Sequence, residues 1–268
     1  MGLSFFRKKN NNGNQKNDST MPGWENTAVN SAAVKKKLCV FGGTFDPMHR
    51  AHLDMAFKAC RTFSIDRMLF MPSGESYFKT GVSSSADRLE ICRLSVEDYF
   101  RLPETKETLA ECEWSVSDME TKREGKTYTY ETIESLWTQF PEYDIYFLVG
   151  EDTLRSMDTW REPQIVFAGC IVIAAARPSR QGQHFDENGH EIHDAHTGID
   201  HEKDNFERIE DLQARLMKQY PAEIHIMRFD EDMSSSAIKA DIRAGRDVSE
   251  KLMPAAYRYI NDKMLYKG

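Results

Sequence analysis

Two histidines three positions apart, His49 and His52, follow a glycine pair in the stretch LCVFGGTFDPMHRAHL at residues 38–53. A helix would place both imidazoles on one face, because residues i and i+3 are neighbours on a helix surface. The glycines Gly42 and Gly43 let a bulky anion approach the backbone. A helix start adds free N–H groups and the positive end of the helix dipole. The sequence therefore predicts a phosphate site at which both histidines act.

Other interpretations of this stretch exist. A glycine pair after a strand is commonly just a turn, and a His-x-x-His pair can be a surface feature or a metal pair. Zinc is disfavoured because Cys39 lies inside the predicted strand and Cys60 lies late in the predicted helix, so neither completes a ligand set. The combination of strand, glycine pair, turn and paired histidines is more specific than its parts and favours the phosphate interpretation.

The segment GGTFDPMHRAH resembles the phosphate-binding signature of the nucleotidyltransferase superfamily whose histidine motif is written HxGH. It is similar in particular to the bacterial nicotinate mononucleotide adenylyltransferases, although Ala51 stands where that family has glycine. The resemblance implies an enzyme that transfers AMP from ATP to nicotinate mononucleotide and forms deamido-NAD and pyrophosphate. It also implies Mg²⁺ as the cofactor, bound with ATP and held largely by the nucleotide and water.

A serine cluster, Ser234-Ser235-Ser236, precedes Lys239 at a predicted helix start. Serine is a favoured N-cap residue, so one of these hydroxyls can serve the helix alone. The segment resembles the family's SSTxIR, in which serine and arginine hold the triphosphate of ATP. Lys239 replaces the arginine, which keeps the charge and loses the bidentate hydrogen bonding. The resemblance implies a second phosphate site here.

Three further segments resemble family elements that contact the substrates. Gly150 and Asp152 lie in GEDTL, which is similar to the GADS(L/M) element beside the nucleotide, and Arg177 lies in a segment similar to RPG near the adenine. Trp160 ends DTW, which resembles the HTW that lines the nicotinate pocket, where a tryptophan can stack on the ring. Thr129 corresponds to the threonine of SYTxDTL that contacts the mononucleotide. Alternatively, Asp152 and Thr129 cap helices and Trp160 is a core residue.

The segment Tyr77-Phe78-Lys79 departs most from the family, which has PPHK or PPHR there. Lys79 keeps the cation that helps to bind the mononucleotide phosphate, whereas Phe78 replaces the histidine. Arg88 is a candidate to compensate for the lost histidine.

Carried over residue by residue, the resemblance assigns three roles and no metal ligand. Catalytic roles fall to His49, His52 and Lys79. ATP binding falls to Gly42, Gly43, Thr44, Phe45, His49, His52, Gly150, Asp152, Arg177, Ser235, Ser236, Ile238 and Lys239, and mononucleotide binding to Thr44, Lys79, Thr129 and Trp160.

The elements that must position these residues alternate between strands and helices. Continuous apolar runs predict strands buried on both faces, and apolar residues at helical spacing predict the helices between them. This alternation predicts an α/β fold with a doubly wound parallel sheet, and the resemblance makes it a Rossmann-like nucleotidyltransferase fold. Its ligands are expected beyond the carboxyl ends of the strands. The predicted strands cover residues 38–41, 67–72, 143–150, 170–175 and 223–227, and the predicted helices cover residues 84–99, 129–140 and 206–216 and begin again at 234 and 254.

Length and composition bound the other possibilities. The 268 residues carry a formal net charge of −8, which argues against a surface that coats nucleic acid. Residues 1–36 are predicted to be a disordered polar tail, and residues 37–268 a nucleotidyltransferase domain with a polar, His-rich insertion at about 179–204. The five scattered cysteines suit a reducing compartment, and no apolar run is long enough to span a bilayer, so a cytoplasmic protein is predicted.

Several alternatives stay open at this point. The acceptor of AMP can be another phosphate monoester, such as nicotinamide mononucleotide or phosphopantetheine. A non-catalytic relative would bind nucleotide without turnover. The histidines of the insertion can bind a metal, although their irregular spacing favours a solvated loop. The expected partners are small-molecule substrates, with no nucleic acid and no membrane, and a homo-oligomer is left open.

Overall fold

The computed structural model describes residues 35–74, 81–105, 110–176, 184–185, 191–192, 207–230 and 233–267. Within these ranges the strands are β1 (Lys36–Gly43), β2 (Arg67–Pro72), β3 (Glu113–Val116), β4 (Tyr143–Gly150), β5 (Ile171–Ala176), β6 (His184–Phe185), β7 (Glu191–Ile192) and β8 (Glu223–Arg228). The helices are α1 (Arg50–Phe63), α2 (Ser85–Tyr99), α3 (Thr129–Gln139), α4 (Glu151–Ser156), α5 (Pro163–Gly169), α6 (Ile209–Gln219), α7 (Ser235–Arg243) and α8 (Pro254–Asp262), and a 3₁₀ turn covers Met157–Thr159.

A six-stranded sheet in the order β3-β2-β1-β4-β5-β8 forms the centre of the fold, and all of its neighbouring strands are parallel. The chain builds outward from β1 to β3 on one side and then from β4 to β8 on the other. The order therefore reverses between β1 and β4, which is the doubly wound arrangement that the sequence predicts. The short strands β6 and β7 form a separate antiparallel pair within the insertion.

Apolar layers cover both faces of the sheet. Along β1, Cys39 and Phe41 enter the core packed by α1, α2, α7 and α8, whereas Leu38 and Val40 enter the core packed by α3, α5 and α6. Each strand is therefore apolar on both faces, which is why its sequence shows no alternation. None of the helices in the described part of the chain is long and apolar enough to cross a membrane.

Most predicted elements are confirmed, and β4 has the predicted bounds. The sequence prediction missed β3, α4 and α5, and also the two-residue strands β6 and β7. Strand β3 has four residues of which only Trp114 is buried, so its hydrophobic signal is weak. Helices α4 and α5 have six and seven residues, too few for an apolar periodicity to emerge. The predicted tail, except for its last residues, and most of the insertion lie outside the described residues.

Candidate active site

The carboxyl edge of the sheet brings the predicted segments together around β1 and β4. The last paired residues of these two strands are Phe41 and Leu148, so Gly43 and Gly150 end the strands at the same level. The chain then passes from β1 through a short loop into α1, and from β4 directly into α4. The switch point of the sheet thus lies between two helix N-termini, where open α/β sheets bind phosphate groups.

His49 and His52 form a stacked pair at the start of α1. Their ring centroids lie 3.7 Å apart, with 26° between the ring planes. His49 is the N-cap residue, and its backbone N–H donates to Nδ1 of His52 at 3.2 Å. Because Nδ1 of His52 accepts this hydrogen bond, the proton of the neutral ring lies on Nε2, which is left as a donor.

Burial keeps both imidazoles neutral near pH 7. It lowers the pKa of His49 to about 4, and burial together with the neighbouring His49 lowers the pKa of His52 well below its usual value. Nδ1 of His49 is buried and has no hydrogen-bond partner within the described residues. A neutral imidazole still donates one hydrogen bond, so the pair can serve phosphate chemistry as hydrogen-bond donors rather than as fixed positive charges.

The side chains of Phe45 and Ile238 belong to the core. The Phe45 ring contacts His52 edge-on, with centroids 5.1 Å apart, and also lies 5.3 Å from the ring of Phe41. Its backbone is left-handed, with φ 49°, a conformation that costs about 1–2 kcal/mol in a residue with a Cβ. Ile238 is fully buried. Any contact of these two residues with ATP therefore comes from their backbone, and the Phe45 side chain instead supports His52.

Lys239, the predicted triphosphate ligand, pairs with a carboxylate of the β1–α1 loop. Its Nζ lies 2.7 Å from Oδ2 of Asp46, and the two side chains are 17% and 4% exposed. Asp46 also accepts hydrogen bonds from the Tyr266 hydroxyl at 2.8 Å and from the Ser83 N–H at 3.3 Å. Burial raises the pKa of Asp46, but the hydrogen bonds from Lys239, Tyr266 and Ser83 outweigh it and lower the pKa overall. Asp46 is therefore charged and holds the ammonium group of Lys239 beside the loop that begins at Gly42 and Gly43, called the glycine loop below.

The three serines at the start of α7 have different roles. Ser234 is the N-cap residue, and its Oγ accepts from the Ala237 N–H at 3.2 Å, so the capping interpretation holds for this residue. Ser235 donates from Oγ to the Pro47 carbonyl at 2.9 Å, which ties α7 to the β1–α1 loop across 188 positions of sequence. Ser236 is exposed in the first turn.

Arg88 is not the phosphate-facing substitute that the sequence suggests. Its side chain is 1% exposed, and its guanidinium donates to the backbone carbonyls of Thr44 at 2.8 Å, Ser73 at 2.7 Å, Gly74 at 2.7 Å and Ser83 at 3.2 Å. A fifth contact reaches Oγ of Ser73 at 3.4 Å. Because a guanidinium has five N–H donors, none is left for a phosphate. Arg88 instead links the loops that follow β1 and β2 by hydrogen bonds to their backbone carbonyls.

Gly74, which sequence reasoning missed, lies where two loops beside the candidate site approach each other closely. A Cβ at this position would lie 2.7 Å from the carbonyl oxygen of Glu120 and 2.9 Å from Oγ1 of Thr127. A side chain there would therefore separate the loop after β2 from the segment that leads into α3. The only sequence signal was a glycine two positions after a strand, which is common in turns.

Thr129 and Trp160, two of the three described candidates for mononucleotide binding, lie in adjacent segments on one side of the sheet. Thr129 is the first residue of α3, and the N-cap is Tyr128, so the capping interpretation of Thr129 is wrong. The guanidinium of Arg161 lies 4.7 Å from the ring centroid of Tyr128, which joins this segment to the one that carries Trp160. Trp160 is partly buried and packs on Phe147, with ring centroids 6.3 Å apart.

Gly150 and Asp152 open α4 at the end of β4. Gly150 is the N-cap residue and Asp152 is an exposed residue of the first turn, so Asp152 does not cap the helix. A Cβ on Gly150 would meet no atom within 4 Å, whereas one on Gly42 would touch the Phe147 ring at 3.4 Å. The backbone at Gly150 thus borders open space at the carboxyl edge.

Lys79 and Arg177, the other predicted site residues, lie outside the described residues, as do Phe78 and the side chains of the histidines in the insertion. Among the residues that are described, no group of three or more His, Cys, Asp or Glu side chains is arranged to hold a metal ion.

Comparisons with known proteins give matches over most of the chain. The family model of cytidylyltransferase-like proteins matches residues 40–241. The chain is 32% identical over 233 residues to a Neisseria meningitidis protein named a probable nicotinate-nucleotide adenylyltransferase, covering 87% of this chain and 99% of that protein. A Desulfitobacterium hafniense protein of the same name is 29% identical over 245 residues, covering 89% of this chain and all of that protein.

A solved structure shares the fold. The nicotinic acid mononucleotide adenylyltransferase of Plasmodium falciparum, complexed with NaAD, superposes with a TM-score of 0.61. The match covers 86% of this chain and 97% of that one at 17% sequence identity. At this identity the comparison establishes the common α/β architecture.

Proposed function

The chain belongs to the cytidylyltransferase-like family, and we propose that it is a nicotinate-nucleotide adenylyltransferase of NAD biosynthesis. It transfers AMP from ATP to nicotinate mononucleotide and forms deamido-NAD and pyrophosphate. The observation that carries this proposal is the stacked pair of His49 and His52, which lies at the helix start beside the switch point of the sheet. Neutral hydrogen-bond donors at this place suit the transfer of a nucleotidyl group.

The reaction is an in-line displacement at the α-phosphorus of ATP. A phosphate oxygen of the mononucleotide forms the new P–O bond while the bond to the pyrophosphate oxygen breaks. Negative charge spreads over the phosphoryl oxygens in the transition state, so positioning and preorganised donors supply most of the catalysis. We assign this role to Nε2–H of His52 and to the ring of His49, and no nucleophilic side chain is required.

The triphosphate is assigned to the glycine loop and the start of α7. Lys239 has three N–H donors, of which one is used by Asp46, so two are left for phosphate oxygens. Ser236 adds an exposed hydroxyl beside the N-terminus of α7. Gly150, Asp152 and Arg177 are assigned to the nucleoside part of ATP.

The mononucleotide is assigned to the side of the glycine loop that faces away from α7. Lys79 and Thr44 would bind its phosphate, and Thr129 and Trp160 its sugar and ring. The partners in this proposal are small molecules, and a cytoplasmic location fits the five free, buried cysteines.

Mg²⁺ is expected as a companion of ATP. Both carboxylate oxygens of Asp46, the acidic group next to the glycine loop, already accept hydrogen bonds from Lys239, Tyr266 and Ser83. The residues therefore fit an ion whose ligands come mainly from the triphosphate and water. When bound, it would neutralise charge on the phosphate oxygens.

The test is to incubate the purified protein with ATP and Mg²⁺ and to offer nicotinate mononucleotide, nicotinamide mononucleotide and phosphopantetheine in parallel. Chromatography should detect deamido-NAD and an equal amount of pyrophosphate from the first acceptor. A product from another acceptor alone would keep nucleotidyl transfer and change the substrate. ATP binding without pyrophosphate release from any acceptor would favour the non-catalytic alternative.

A further inference from the structure

Two cysteines face each other at the amino edge of the sheet, on the side opposite the histidine pair. Their Sγ atoms lie 3.1 Å apart in a shared hydrogen bond, although Cys60 and Cys112 are 52 positions apart in sequence. Cys60 lies in the last turns of α1, and Cys112 directly precedes β3. Their side chains are 4% and 3% exposed. The fold thus brings together two thiols that nothing in the proposed reaction uses.

Neighbouring side chains hold this pair in place, and the pKa values of its two thiols shift in opposite directions. The indole N–H of Trp114 donates to Sγ of Cys60 at 3.3 Å, and Trp114 stacks on Tyr99 with ring centroids 5.6 Å apart. The hydrogen bond from the Cys60 thiol lowers the pKa of Cys112, and the same hydrogen bond with burial raises the pKa of Cys60. We therefore assign Cys112 as the attacking thiol of the pair.

Cys112 directly precedes β3, the strand at the edge of the six-stranded sheet. Its neighbours Glu111 and Glu113 are both exposed, whereas Cys39 and Cys92 lie inside the central strand and a packed helix. Local opening of this edge segment would therefore admit a small oxidant to Cys112 more readily than to those two thiols.

We propose that Cys60 and Cys112 form a redox-modification site, in which hydrogen peroxide converts the thiol pair into an intramolecular disulfide that a dithiol reductant reverses. The Cys112 thiolate attacks one peroxide oxygen, the O–O bond breaks, and a sulfenic acid and one water form. The Cys60 sulfur then attacks the sulfenyl sulfur, the S–O bond breaks, and the second water leaves. Two thiols and one peroxide thus become one disulfide and two waters.

The disulfide would stabilise the fold and leave the site in place. Cys60 follows His52 by eight residues, which is about 12 Å along a helix, and Cys112 lies at the far edge of the sheet. The crosslink closes a long loop of the unfolded chain, so it should raise Tm by roughly 5–10 °C. The transfer activity should change less than twofold.

The test oxidises the reduced full-length protein with hydrogen peroxide, alkylates the remaining thiols after denaturation and maps tryptic peptides by mass spectrometry. The expected crosslink joins residues 59–61 to residues 107–122 with the loss of two hydrogens, while Cys39, Cys92 and Cys170 are alkylated. Dithiothreitol should restore both peptides, and the tryptophan fluorescence should change on oxidation and recover on reduction.

Matched variants complete the test. Cys60→Ser and Cys112→Ser should both lose the crosslink and the fluorescence change, whereas Cys170→Ser should keep them, because Cys170 is buried on the opposite face of the sheet. Five alkylated thiols in oxidised wild-type protein, or a crosslink between another pair, would overturn the proposal. The readout in wild-type protein depends neither on the folding of a variant nor on the proposed transfer activity.

Discussion

The substitution Arg88→Lys separates the positioning of the loops from direct contact with a substrate. The guanidinium makes five hydrogen bonds to the loops after β1 and β2, and a lysine ammonium offers only three donors. At least two buried acceptors therefore lose their partner, and hydrogen bonds to a charged donor contribute about 1.5–3 kcal/mol each. We expect the free energy of unfolding to fall by about 3 kcal/mol, which a domain of ordinary stability survives.

The kinetic effect should fall on one substrate. The carbonyls that Arg88 holds belong to Thr44, which is assigned to the mononucleotide phosphate, and to the loop that leads toward Lys79. Thr44 is also assigned to ATP, but ATP has further assigned contacts in α7 and at the start of α4, which Arg88 does not touch. We therefore expect KM for nicotinate mononucleotide to rise on the order of tenfold, equivalent to about 1.4 kcal/mol, and KM for ATP to rise less than threefold.

Urea unfolding gives the stability, and initial rates of pyrophosphate release give both KM values. Arg93→Lys is the matched control on the same helix, because Arg93 is half-exposed and its closest ion pairs, with Asp118 at 3.6 Å and Glu90 at 4.0 Å, are on the surface. That control should stay within about 0.5 kcal/mol of wild type. Wild-type stability of Arg88→Lys, or an equal rise of both KM values, would refute the positioning role.

Three further predictions concern the histidine pair and the Asp46 network. His52→Ala should lower kcat on the order of a hundredfold or more, as loss of a preorganised donor does, and the rate of pyrophosphate release measures this effect. His225→Ala is the control and should leave kcat unchanged, because the ring of His225 is half-exposed and bonds Glu223. The pKa of His49 is about 4 in the fold against 6.5 in the unfolded chain, so the unfolded chain binds more protons between these values and stability falls as the pH drops from 6.5 to 4. His49 contributes up to about 3 kcal/mol to this loss, in addition to the contribution of His52, and His49→Gln should remove the His49 part in urea titrations; an unchanged profile would contradict the burial argument. Asp46→Asn removes one partner of a buried ion pair and should cost about 3–5 kcal/mol in urea unfolding, whereas Tyr266→Phe should cost about 1 kcal/mol, and equal losses would refute this ranking.

The parts of the fold and site that the sequence predicted are those that depend on local pattern. Strand β1, the glycine pair and the two histidines lie within 17 residues, and each element is specified by its own apolar run or turn residues. The parallel order follows because strands alternate with helices, and the carboxyl edge then gathers the loop ends. The serine segment at the start of α7 was found because a helix start has a local signal.

What the sequence did not predict depends on partners far away in the chain. The sequence around Arg88 is that of an ordinary helix residue, and three of the four carbonyls that its side chain binds lie 14 to 44 positions away. The Lys239–Asp46 pair spans 193 positions, and the pair of Cys60 and Cys112 spans 52. No local pattern encodes these distances, because they follow from the packing of α1, α2 and α7 on one face of the sheet.

The departures from the family motifs affect the ATP side and the mononucleotide side of the site differently. Ala51 replaces a glycine between the histidines, but it is 3% exposed and packed in the core. Its methyl group therefore does not narrow the space beside the glycine loop that is assigned to phosphate. Lys239 replaces an arginine, and two of its donors remain after the pair with Asp46 is made. Phe78, in contrast, removes a donor from the mononucleotide side. We therefore expect nucleotidyl transfer from ATP to be retained and the affinity for the acceptor to be where this chain differs from its relatives.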